Sequence, residues 1–331
     1  MHAMRLHRPA PIVQGPLVFD DVPVPEPDTD RVLIRVEACA VCHTDLHIIE
    51  GELPPKKLPV IPGHQVVGIV ERGGSGAERI RTGARVGVAW LHRSCGACAF
   101  CRRGLENLCP DALFTGYDVD GGYAGYLVAP AAYVYAIPDR FSPREAAPLL
   151  CAGIIGYRSL RLAEVTPGSR VGLFGFGASA HLALQVARHW GCEVYVFTRS
   201  PGHRRLAADL GATWVGGSQE AAPRELDNAV VFAPSGRVVV DALAHLRRGG
   251  TLAINAVHLD GIPSLDYGLL YWERTIRTVS NSTRRDGREF LAVAAEIPVR
   301  VATEVWSLRD ANTALRRLKA GEVNGAAVLE M

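Results

Sequence analysis

Between residues 170 and 255 short apolar runs alternate with amphipathic stretches, and this alternation constrains the fold more than any other feature of the chain. Arg170-Val171-Gly172-Leu173-Phe174, Glu193–Phe197, Ala229–Phe232 and Thr251–Asn255 read as strands; residues 178–190, 204–210 and 236–247 between them read as helices. Strands joined through helices run parallel, and strands this apolar are buried on both faces, so the segment is expected to be a doubly wound α/β sheet. Its first strand leads into Gly175-Phe176-Gly177-Ala178-Ser179-Ala180, a G-x-G-x-x-A turn at the start of a helix. In that setting Gly175 permits the turn, Gly177 lets backbone N–H groups approach a pyrophosphate, and Ala180 allows the helix to pack closely. A dinucleotide site is expected there.

The end of the next strand bears on which dinucleotide. A carboxylate at that place holds the adenine ribose hydroxyls, but this chain has Thr198-Arg199-Ser200, followed by Arg204 and Arg205. Hydroxyl and guanidinium donors suit a 2′-phosphate, so NADP is favoured over NAD.

Residues before about 150 have a different texture: short β-rich runs such as Val32–Val36 and Val66–Val70 between Pro- and Gly-rich turns, as in a compact all-β domain. After about 280 a helix (286–295), a strand near 301–305, a helix (309–319) and a last strand, Ala326–Leu329, could join either part. With 331 residues, 48% hydrophobic and 21% charged, the chain is long enough for two folded domains and too apolar for disorder. Thirty-six basic against 34 acidic residues, with no dense basic run, argue against a nucleic-acid partner. No apolar run approaches membrane-spanning length, and the first residues, broken by Arg5, Arg8 and Pro9, lack the core of a signal peptide. A cytoplasmic location with no membrane partner is expected.

Eight cysteines in such a chain point to metal or catalysis rather than disulfides. Cys95-x2-Cys98-x2-Cys101-x7-Cys109 concentrates four thiols in 15 residues, with Gly96 and Gly104 permitting the turns. Four thiolates suit a closed, structural tetrahedral zinc site; an iron–sulfur cluster or free thiols are the other readings of this spacing. Three more potential ligands, Cys42, His64 and Cys151, lie too far apart for periodicity to connect them.

Taken in order, Cys42-x-Thr44-Asp45-x-His47, Gly63-His64, the four-cysteine loop, Gly121-Gly122-Tyr123-Ala124-Gly125-Tyr126, Cys151-Ala152-Gly153 and the Gly-rich turn resemble the zinc-containing alcohol dehydrogenases of the medium-chain dehydrogenase/reductase superfamily. The ending Asp310-Ala311-Asn312-x2-Leu315-x2-Leu318-Lys319-Ala320-Gly321 resembles that family's C-terminus, so the likeness spans essentially the whole chain. It implies a GroES-like all-β catalytic domain from residues 1–152 and 281–331, with a Rossmann domain at 153–280 and chemistry in the cleft. It implies two zinc ions per chain, one structural and one catalytic on Cys42, His64 and Cys151. Three ligands leave a position for an alcohol or aldehyde oxygen, where a Lewis acid eases deprotonation of the one or polarises the other. Thr44 and His47 match the family's proton relay, Asp45 is expected to orient His64, and His43 to lie near the pyrophosphate.

Two departures stand out: Gln65 where many relatives carry Glu, and Ala326 where many carry Arg. The first weakens any carboxylate assistance to ligand exchange at zinc, and the second removes a phosphate contact. Trp90 matches a position that narrows the alcohol pocket in the family's small-alcohol enzymes, and Tyr117 and Leu113 are further candidates for its lining, on which the sequence says nothing more; a primary alcohol, small aliphatic or benzylic, is expected. Relatives assemble through the Rossmann sheet edge, which makes residues 262–280 the expected contact of a homodimer or homotetramer. The rival readings are a zinc-free quinone or enoyl reductase of the same superfamily, which needs no Cys42–His64–Cys151 set, and a non-catalytic zinc-ribbon module.

Overall fold

Apolar strands with β-branched residues dominate both halves of the chain, and each half gathers them into a sheet of its own. The computed structural model describes residues 1–331, and contacts divide them into two units: 1–151 with 281–291 and 301–331, and 152–280 with 292–300.

In the first unit the strands run in the order Thr303–Ser307, Ala326–Glu330, Arg31–Ala40, Gln65–Gly73, Arg85–Val88, Val134–Ala136, with Tyr126–Pro130 also paired to Arg31–Ala40. All neighbours except the first pair are antiparallel. Val32, Ile34, Val66, Val70, Val86 and Val88 point into one core with Leu127 and Leu329. Both C-terminal strands therefore belong here. Two strands with no strong alternation, His2–Leu6 and Leu17–Asp21, pair with each other alone.

The second unit is the expected doubly wound sheet, all parallel, in the order Trp214–Gly216, Glu193–Phe197, Arg170–Phe174, Leu226–Val231, Leu246–Ile254, Thr275–Thr278. This order turns back on itself beside Arg170–Phe174, the switch point where open α/β sheets bind their ligands. Its central strands are buried on both faces, and Phe174 stacks on Phe197 with ring centroids 4.0 Å apart.

The C-terminal helix of residues 284–296 is shared between the units, so the stretch 292–300, expected with the all-β domain, groups with the sheet of the second unit. Two backbone-to-amide hydrogen bonds hold it there: Gln185 Nε2 donates to the Arg300 carbonyl at 3.0 Å, and the Arg300 N–H donates to Gln185 Oε1 at 2.8 Å. No helix is long and apolar enough to cross a membrane.

Candidate active site and metal centres

Cys42 lies two residues past the strand Arg31–Ala40 and caps the helix His43–Glu50, whose third residue, Asp45, closes a capping box by accepting the Cys42 N–H at 2.9 Å. Asp45 is fully buried and has further partners: it accepts from the Gly63 N–H at 3.3 Å, from the Tyr123 hydroxyl at 3.0 Å, and faces His64 Nδ1 at 3.0 Å. This carboxylate thus ties the helix cap, the Pro62-Gly63-His64 turn and the Tyr123 segment to one point. Gly63 is required at that turn, since its φ is +94° and an added Cβ would lie 2.3 Å from the Tyr123 ring.

With Nδ1 of His64 against Asp45, the opposite ring nitrogen is the one available to the sulfurs. One ligand atom each from Cys42, His64 and Cys151 lies within 4.8 Å of the others. Burial pulls the His64 imidazole down, but Asp45 and then Cys42 outweigh it and carry it up to about 10. Hydrogen bonding from Cys151 pushes the Cys42 thiol down, and its bond to Cys42, with burial, pushes Cys151 up. Two buried sulfurs cannot both ionise side by side unless a cation sits between them, and Cys2His with an open position is a zinc donor set. The residues fit the metal.

The second cluster is at the surface. Cys95, Cys98, Cys101 and Cys109 bring four sulfurs within 4.8 Å of one another, and Cys95 Sγ stands 3.9 Å from Cys101 Sγ. Tetrahedral zinc with Zn–S of about 2.3 Å separates its sulfurs by about 3.8 Å, so this spacing fits too. Backbone N–H groups of Ala97 and Cys98 point at Cys95 Sγ and lower its thiol to about 6, whereas burial raises Cys109 to about 11. The loop is anchored from outside by Arg284, which pairs through two nitrogens with Glu106 (2.7 and 2.9 Å) and lies over the Tyr133 ring.

The other expected site residues fall as follows. Thr44 Oγ1 is 3.7 Å from Cys42 Sγ, and His47 lies one turn further along the same helix, with Nδ1 2.5 Å from Glu52. His43 is exposed at the helix start. Trp90 meets His64 edge-on at 4.9 Å and stacks on Tyr117 and Phe114, while Leu113 pairs with Arg93. Phe114 was not anticipated; its neighbour Leu113 was, and only the stacking on Trp90 distinguishes them. Gln65 is buried at the start of its strand, and Ala326 is buried at the start of the last one.

In the second unit Gly175 turns at φ +89°, and Gly177 caps the helix Ala178–His189 with open space where its Cβ would be, as a site of close ligand approach requires. Phe176 is buried behind the turn, while Ala178 and Ser179 open the helix. Thr198 is buried, Arg199 exposed, and Ser200 caps the helix Pro201–Asp209, which starts three residues earlier than expected because Pro suits a first turn. Arg204 Nε donates to the Thr198 carbonyl at 2.9 Å and one terminal nitrogen pairs with Glu220 at 3.3 Å. It braces the turn, and Arg199 is the more accessible cation.

The family model for the alcohol dehydrogenase GroES-like domain matches residues 28–139, and that for zinc-binding dehydrogenases matches residues 180–296. A probable alcohol dehydrogenase of Mycobacterium tuberculosis is 48% identical over 336 residues, covering 99% of this chain and 97% of its own. Among solved structures, a cinnamyl alcohol dehydrogenase of Sorghum bicolor superposes with a TM-score of 0.89 at 30% identity, covering 99% of this chain and 97% of its own. A CAD from Helicobacter pylori complexed with NADP(H) does so at 0.88 and 26%, covering 100% and 99%.

Proposed function

The chain belongs to the zinc-containing alcohol dehydrogenases of the medium-chain dehydrogenase/reductase superfamily, and from that membership we propose an NADP-preferring enzyme for primary alcohols, small aliphatic or benzylic, and the matching aldehydes. Zinc, a nicotinamide cofactor and a small-molecule alcohol or aldehyde are common to the family; the preferences are our reading of this chain. The observation that carries it is the convergence of Cys42, His64 and Cys151 beside an aromatic wall of Trp90, Phe114 and Tyr117.

Zinc held by these three side chains supplies Lewis acidity toward an alcohol or carbonyl oxygen, and the nicotinamide exchanges the hydride. The protein supplies the rest. Asp45 fixes the ring plane of His64 and keeps its Nδ1 protonated, so that Nε2 can serve as ligand. Thr44, beside Cys42, is the first hydroxyl able to take up the substrate proton, and His47, one helical turn on with its side chain 18% exposed, passes it toward water. The flat wall beside His64 favours a short or planar substrate over a branched one. The four-cysteine loop holds the second zinc, closed and structural, for two per chain.

The absence of a carboxylate among Thr198, Arg199 and Ser200 supports NADP. Assembly as a homodimer or homotetramer is supported by the edge strand Thr275–Thr278 and the exposed side chains of Ile262, Tyr267, Tyr271 and Trp272 before it. We place the enzyme in the cytoplasm.

The test is the kcat/KM ratio for NADP+ against NAD+ over a panel of primary alcohols, in the wild type and in Arg199→Ala. One charge-assisted contact to a phosphate is worth about 1.5–3 kcal/mol, so the ratio should drop at least about tenfold in the variant. A wild-type preference for NAD+ with an indifferent variant would refute the cofactor reading while leaving the zinc chemistry standing.

A further inference from the structure

The helix His43–Glu50 ends in a turn that brings a carboxylate onto His47. Gly51 closes the helix His43–Glu50 in the left-handed conformation, with φ +82° and its N–H on the Ile48 carbonyl. The chain then folds back. The Leu53 N–H donates to the His47 carbonyl at 2.9 Å, the Leu53 side chain packs on the core, and the Pro54 carbonyl accepts the Tyr117 hydroxyl at 2.9 Å. Between these fixed points Glu52 is brought over His47, its Oε2 2.5 Å from Nδ1. A carboxylate on a free surface chain would lose most of such a contact to side-chain entropy, but here the backbone has already been ordered by the neighbouring bonds.

We propose that Glu52 is a positioning residue for proton transfer, acting through His47. The inference deepens the relay reading above and rests on it. An ionised carboxylate can only accept, so the contact makes Nδ1 the protonated nitrogen and Nε2 the basic one. A proton taken up at Nε2 is balanced by loss of the Nδ1 proton toward Glu52 and water, and exchange of ring protons with water restores the Nδ1–H tautomer. Glu50 is another carboxylate whose charge reaches His47. Glu50, at the end of the same helix, is occupied by the Ile12 N–H and by Lys319, whose Nζ is 2.6 Å away on the helix Ala311–Lys319. Glu52 is the carboxylate in contact with the ring.

The experiment combines nitrogen-15 NMR of the histidines in the zinc-loaded enzyme, the His47 signal being assigned by its loss in His47→Gln, with alcohol oxidation kinetics in Glu52→Ala, Glu52→Gln and His47→Gln. The wild type should show His47 as the Nδ1–H tautomer, and Glu52→Ala should lose that single tautomer. Its kcat should fall about tenfold at neutral pH with the cofactor KM within about twofold, and Glu52→Gln, which keeps a hydrogen-bond acceptor but no charge, should fall between. An unchanged tautomer in Glu52→Ala, or unchanged kcat there when His47→Gln is impaired, overturns the proposal and spares the relay. If His47→Gln itself turns alcohol over normally, the relay reading fails and the proposal with it. Glu52 is half-exposed, so all three proteins are expected to fold.

Discussion

Asp45 is the most consequential single residue of the candidate centre, because four polar groups end on a carboxylate that no water reaches. Removing a partner of this kind from a metal-ligating histidine costs about 10–100-fold in metal affinity. Asp45→Ala should therefore lose zinc to a competing chelator at one site per chain while the four-cysteine site holds its metal; equal retention at both sites would contradict this role. The link between Asp45 and His64 was legible only through the family motif, since they stand nineteen positions apart along a Pro-rich chain and no periodicity spans that distance. The Tyr123 hydroxyl on the same carboxylate was not foreseen, although Tyr123 lay in a motif: the sequence says that a tyrosine is there, and only the fold says that its ring crosses the Gly63 turn to reach Asp45.

At the scale of elements, strands buried on both faces were the most readable, because a continuous apolar run has no other use in a soluble α/β sheet. Arg170–Phe174 and Glu193–Phe197 begin and end where the pattern does, whereas the partly exposed Thr275–Thr278 carries no such run and was found only as the sheet edge. The helix Ala178–His189 hides a liability that its pattern did not announce. His181 is 1% exposed, and burial, outweighing weak contacts to the Gly177 and Ala178 backbone, lowers its pKa from 6.5 to about 4. The sign follows from linkage: between pH 6.5 and 4 the unfolded chain takes up a proton that the folded one refuses, so stability falls as the pH drops through that window. His181→Leu should leave stability at pH 7 equal or slightly higher. It should also remove about 2 kcal/mol of the loss between pH 7 and pH 5, read by urea unfolding at the two pH values. A variant that loses stability to acid as steeply as the wild type would show that the ring is protonated in the folded state.

For the molecule as a whole, the two units gather different chemistry: one holds both clusters of potential metal ligands, and the other the Gly-rich turn and the exposed Arg199. Local pattern sufficed for the second, whose dinucleotide turn is a contiguous stretch between a strand and a helix. It did not suffice for the first, where Cys42, His64 and Cys151 come from three distant segments: the antiparallel pairing of Arg31–Ala40 with Gln65–Gly73 brings the first two together, and Cys151 follows the helical turn 147–150 packed against those strands. The claim on which everything else depends is that this trio holds a zinc that alcohol chemistry requires. The direct measurement is zinc per chain by elemental analysis, paired with alcohol turnover, in the wild type and in His64→Ala. The account predicts two zinc ions per chain and turnover in the wild type, and one zinc, retained by the four-cysteine loop, with no turnover in the variant. A wild type that oxidises alcohols while holding one zinc, or a His64→Ala enzyme that keeps both its metal and its activity, would contradict it.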